Sequence, residues 1–111
     1  MKFYIASSLE NADTVSRVAA VLKAAGHTHT HDWTIHGSVQ AEGPGRIARA
    51  AYAELNGVNS ADAVIVILPG GRGTHVELGV ALTLRKKVFI CAENDAAFTQ
   101  DGPHMLVLSA S

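Results

Sequence analysis

From Ala61 to Leu68 the chain reads Ala-Asp-Ala-Val-Ile-Val-Ile-Leu, an apolar run dominated by β-branched residues. A stretch this short does not span a membrane, and its side chains do not alternate between apolar and polar as a half-exposed strand requires. It fits a central strand buried on both faces, which occurs in parallel sheets with helices on either side. The flanking pattern agrees. Lys2–Ala6 is a second β-type run. Ser7 and Glu10 then stand at capping-box spacing, with Ser7 as expected N-cap, and Val15, Val18, Leu22 and Ala25 follow at helical spacing up to Gly26.

The same reading continues through the chain. His27–Trp33 is expected to hold a strand and Gly37–Gly45 a loop. A helix is expected from near Pro44, with Ile47, Ala51, Leu55 and Val58 on one stripe. Thr74–Arg85 reads as a further helix, Lys87–Ala92 as a strand, and Met105–Ser109 as an edge strand. Strands alternating with helices predict an α/β fold, a single flavodoxin-like or Rossmann-like domain over residues 1–111. Its sheet is expected to have four or five mostly parallel strands flanked by helices. In such sheets ligands bind beyond the carboxyl ends of the strands, near the point where strand order reverses. The segments after the first and third strands are therefore the first places to look.

Bulk composition narrows the function. The 111 residues are 48% hydrophobic and 17% charged, enough apolar surface for a core, with nine basic against ten acidic residues. No basic stripe is present, so duplex nucleic acid is not an expected partner. A small anion remains compatible with a near-neutral chain, because a few backbone amides hold one phosphate. The lone Cys91 lies in an apolar run, forms no internal disulfide framework and reads as an inert buried thiol. No charged leader precedes the first strand, and no apolar run reaches membrane length, so the expected location is cytoplasmic, with no membrane partner.

The most informative segment is Pro69-Gly70-Gly71-Arg72-Gly73-Thr74-His75-Val76-Glu77. Three glycines in four residues allow a ligand close to the backbone, and a helix beginning at Thr74 would aim its free amides into the loop. A plain tight turn explains the glycines equally well. The segment is not a Walker A loop, since no Gly-Lys-Ser/Thr follows. Glu77 also has two readings. At capping-box spacing from Thr74 it would cap its own helix. In register with Val80, Ala81 and Leu84 it would lie on the apolar side, where a carboxylate suits nucleophilic or electrostatic work on a sugar.

Other residues invite assignment. His27, His29 and His31 alternate, but three positions along one strand span too far to converge on one ion, so no metal is expected. Trp33 stands where its ring would either stack on a base or pack against the protein. Asp62 is expected to serve the turn into its strand.

The motifs Tyr4-Ile5-Ala6-Ser7-Ser8, Glu54-Leu55-Asn56-Gly57, Ala61-Asp62 and Gly73-Thr74-His75-Val76-Glu77-Leu78-Gly79 occur in the order seen in nucleoside 2-deoxyribosyltransferases. The chain resembles that family and the deoxynucleoside 5′-monophosphate N-hydrolases of the same superfamily. The resemblance implies that Glu77 is the nucleophile at the anomeric carbon and that Tyr4 orients it. It places Glu54 where the family usually has an aspartate that handles the departing base. The Pro69–Thr74 loop is similar to the PGGxGT motif of Lonely-guy-type phosphoribohydrolases, which cleave the base from nucleoside 5′-monophosphates.

Together these imply an enzyme that cleaves or transfers an N-glycosidic bond without a redox cofactor or metal. Gly70, Gly71, Gly73 and Thr74 would hold a phosphate, with Ser7, Ser8 and Arg72 assisting. Retaining chemistry asks for two carboxyls about 5 to 5.5 Å apart, with the raised pKa expected on Glu54 as the acid. Homo-oligomers, dimeric or larger, are implied by the family. The rival expectation is a non-catalytic nucleotide-binding or sensing module built on the same loop.

Overall fold

The computed structural model describes residues 1–36, 44–92 and 104–109. Eight principal elements follow in order: β1 (Lys2–Ala6), α1 (Ala12–Ala24), β2 (Thr28–His29), α2 (Pro44–Ser60), β3 (Ala63–Leu68), α3 (Arg72–Thr83), β4 (Lys87–Ala92) and β5 (His104–Ser109). They form one sheet of order β2-β1-β3-β4-β5, in which β5 alone runs antiparallel. This is the flavodoxin-like order, and the connection reverses direction between β1 and β3. The expected Rossmann-like α/β architecture is therefore present.

Alternation along β1 divides the core in two. Phe3 and Ile5 join Val15, Ala19 and Ile67 on the α1 side. Tyr4 and Ala6 join Val58, Val64, Val66, Ala81 and Val88 on the other face, beneath α2 and α3. β3 is covered on both faces, as its composition predicts. Cys91 is half-buried, and its surroundings push the thiol pKa up. No helix among the described residues is long and apolar enough to cross a membrane.

Local chemistry revises several expected boundaries. Ser7 does not cap a helix. Its hydroxyl donates to Ile67 O at 2.7 Å, a 3-10 turn covers Leu9–Asn11, and α1 starts only at Ala12. β2 stops at His29 instead of running to Trp33, because Asp32 accepts the amide of Thr34 and bends the chain into a 3-10 turn at Trp33–His36. The His29 ring stacks on Phe3 with centroids 4.7 Å apart, so the three histidines share no extended strand face. Burial lowers the His29 pKa. Only the C-terminal part of the α2 stripe lies on the sheet: Val58 is buried and Leu55 half-buried, whereas Ile47 and Ala51 are exposed. Residues 37–43 of the expected loop lie outside the described residues.

Asp62 serves the strand entry. Its carboxylate accepts the amide of Lys2 at 2.9 Å, while its own amide donates to Lys2 O.

Both α1 and α3 end in Schellman turns. Gly26, with φ 96°, fills the left-handed position after α1, with His27 N–H donating to Leu22 O. After α3 the same position is held by Arg85, φ 59°, with Lys86 N–H donating to Ala81 O. An L-residue there carries a steric cost that glycine avoids. Arg85→Gly is expected to stabilise the protein by about 1 kcal/mol. A denaturation midpoint that falls or stays put would contradict this.

Candidate active site

On the face of the sheet beneath α2 and α3, three elements each bring one side chain together. Tyr4, fully buried, points from β1 toward α3. Its hydroxyl donates to Glu77 Oε1 at 3.1 Å. Glu77 is only 6% exposed. From α2, the half-buried Glu54 stands near enough for its charge to act on the same carboxyl. A second carboxylate nearby disfavours ionisation, so Glu77 holds its proton more tightly than an isolated glutamate.

Helix phase explains why Glu77 is inside. α3 begins at Arg72, two residues earlier than the sequence suggests, and buries Thr74, Glu77 and Ala81 at i, i+3 and i+7. Glu77 stands a full turn too far along to cap the helix. The cap is made by Thr74, whose Oγ1 accepts the Gly71 amide at 3.1 Å. Leu84, expected on the same apolar side, is exposed.

Burial strips water from the Glu77 carboxylate and is the main reason its pKa rises from 4.5 to about 8. The nearby charge of Glu54 raises it further, against the opposing hydrogen bond from Tyr4. The carboxyl with the raised pKa is thus Glu77, which the sequence reading cast as the ionised nucleophile. Glu77 lies deeper, and Glu54 is only half-buried. Burial, followed by the charges of Glu77 and Glu54, drives the Tyr4 phenol upward too, so it remains a donor.

This geometry coincides with a sequence match over residues 3–106 to the model of the nucleoside 2-deoxyribosyltransferase family. The chain belongs to that family.

As a nucleoside 2-deoxyribosyltransferase family member, it carries support for an enzyme acting at the N-glycosidic bond of small nucleosides or nucleotides. Among solved structures, a CMP N-glycosidase from Clostridium botulinum has a similar fold, with a TM-score of 0.55 at 16% identity. The match covers 88% of this chain and 76% of that one. Comparison with curated protein sequences returned no match.

Beside the carboxyl pair lies the turn between β3 and α3. Gly70 is required by packing, since a Cβ there would come within 2.5 Å of Thr74 Cγ2. Gly71 and Gly73 are different: a Cβ at either would meet nothing, so the fold itself does not demand glycine there. With Gly71 as N-cap, the amides of Arg72, Gly73 and Thr74 open the helix without intrahelical partners. Arg72 is exposed at the positive end of the helix dipole, where a cation gains nothing from the helix.

The turn is held by the segment after β1. Ser7 donates to Ile67 O, Ser8 donates to Pro69 O at 3.2 Å, and Asn11 Nδ2 donates to Pro69 O at 2.8 Å. Of two expected ligand contacts, Ser7 thus spends its hydroxyl proton on the Ile67 carbonyl of β3, and the Ser8 hydroxyl lies within reach of both Pro69 O and Glu10 Oε1. Asn11 was not singled out in the sequence; its only signal was a third small polar residue close after Ser7 and Ser8. Trp33 is half-buried with its indole N–H donating to Ile5 O at 2.7 Å, and it packs against both core clusters. His75 is exposed on the first turn of α3.

Proposed function

We propose that this protein cleaves or transfers the N-glycosidic bond of a nucleoside 5′-monophosphate or its nucleoside, with Glu77 as nucleophile. The observation that carries the reading is the buried Glu77 carboxyl, bonded by the Tyr4 hydroxyl, with Glu54 beside it on α2. With Glu77 ionised and a proton on Glu54, Glu77 is a carboxylate aimed by the Tyr4 hydroxyl, and Glu54 is an acid. Glu77 attacks the anomeric carbon, the bond to the base breaks, and Glu54 delivers its proton to the departing nitrogen. The resulting glycosyl ester is then opened by water or by a second base, with Glu54 taking a proton back from water.

The amides of Arg72, Gly73 and Thr74, together with the Arg72 guanidinium, are suited to a 5′-phosphate at the helix N-terminus. Gly70 and Gly71 shape the turn, Gly71 using its own amide in the cap. The fold shared with a CMP N-glycosidase supports a monophosphate substrate.

The test is base release from a panel of nucleosides and their 5′-monophosphates, followed by chromatography with and without an acceptor base. Release from at least one of them is expected. Saturable binding without release would instead favour a nucleotide sensor. Within the same assay, Gly73→Ala is expected to raise KM for a monophosphate by about tenfold, roughly one charge-assisted hydrogen bond. It should leave the parent nucleoside and the melting temperature nearly unchanged, because a Cβ at Gly73 meets nothing in the protein. Equal losses on both substrates would remove the phosphate from this loop.

A further inference from the structure

Helix α2 crosses β1 at Gly57, one turn after Glu54 and so near the same helix face. A Cβ at Gly57 would lie 2.8 and 3.0 Å from Cδ1 and Cε1 of Tyr4 and 2.9 Å from the Cβ of His31. The helix backbone therefore rests directly on the ring whose hydroxyl holds Glu77. The Gly57 carbonyl is among the last four of α2, which lack intrahelical partners. Thr30 Oγ1 donates to it at 2.8 Å. Thr30 is itself tied to β1: its amide donates to Phe3 O at 2.9 Å, and its hydroxyl lies 3.3 Å from the same oxygen. A short polar link thus joins the backbone beside Tyr4 to the helix that carries Glu54.

We propose that Thr30 and Gly57 are positioning residues that fix the height of Glu54 relative to Glu77 and Tyr4. The proposal rests on the functional reading above. A helix packed on a sheet through side chains alone tolerates small shifts. Backbone resting on an aromatic ring, with a hydrogen bond to the neighbouring strand, leaves little freedom. The titratable groups facing Glu77 are Tyr4 from β1 and Glu54 from α2. Only Glu54 is carried by the element that Thr30 anchors.

The experiment compares wild type with Thr30→Val and Thr30→Ser. The first readout needs no substrate: the carboxyl titration of Glu77 by carbon-13 NMR, assigned by its loss in Glu77→Gln. Thr30→Val is expected to shift the midpoint downward from about 8, since the nearby Glu54 raises it. The second readout is base release, where kcat should fall about 10- to 100-fold with KM within about twofold. Thr30→Ser, which keeps the hydroxyl, should restore both. Gly57→Ala should lower kcat as well; if it does not fold, the threonine variants decide.

A Thr30→Val protein that melts earlier yet keeps the wild-type Glu77 titration would overturn the proposal and leave Thr30 as a helix cap. If wild type releases no base, the titration still decides the positioning role while the glycosidic reading falls.

Discussion

Glu77→Gln is expected to lower kcat for base release by about a thousandfold or more, with substrate binding retained. Glutamine preserves the shape of the side chain, accepts the Tyr4 hydroxyl and donates to Glu54, so the local structure survives. What it removes is the oxygen that, in the proposed mechanism, bonds to the anomeric carbon. The wild-type pH profile belongs to the same prediction. Glu77 loses its proton as pH rises through about 8, and the proposed mechanism needs one proton on the two carboxyls to protonate the leaving base. kcat/KM is therefore expected to decline on the alkaline side around that value. A Glu77→Gln enzyme with near-wild-type turnover would end the nucleophile assignment. A profile still rising above pH 9 would show that this proton takes no part.

The same substitution should stabilise the fold, and increasingly so as pH rises. Glu77 has a folded pKa near 8 against an ordinary value of 4.5. Between these values the native protein holds a proton that the unfolded chain has released, so stability falls as pH rises through this window and stays low above it. Glutamine carries no charge to bury. Wild type and Glu77→Gln should melt together below about pH 4.5 and diverge above it, by a few kcal/mol near pH 9. The stabilised variant would be the inactive one, as expected where a site holds a charge the fold would otherwise exclude. Parallel melting curves across the range would show that burial does not strain this carboxyl.

The sheet was readable because its signals are local. The apolar run at Ala63–Leu68, the helical spacing after Ser8 and the glycine-rich turn each act within a few residues, and the strand, helix and turn they imply are all present with shifted ends. The errors occur where a distant group outcompetes a local one. Ser7 has cap spacing, yet its hydroxyl goes to Ile67 O, sixty residues away in sequence. Thr74 and Glu77 have capping-box spacing, yet the helix starts two residues earlier and sends Glu77 to Tyr4. The strand expected through Trp33 ends early because Asp32 captures the amide of Thr34.

For the candidate site, sequence alone determined which residue types stand at the mouth of the sheet: a tyrosine after the first lysine–phenylalanine pair, two glutamates on successive helices, and a glycine-rich turn. Their order in the chain also pointed to the family. Tertiary structure alone decided which carboxyl is deeply buried, and hence that the raised pKa lies on Glu77. It also decided that Asn11 clamps the turn and that Gly57 lies against Tyr4. The reason is physical: protonation depends on solvent exclusion and neighbouring charge, and both come from segments separated by tens of residues. Periodicity reports which way a side chain faces; only packing reports what waits for it there.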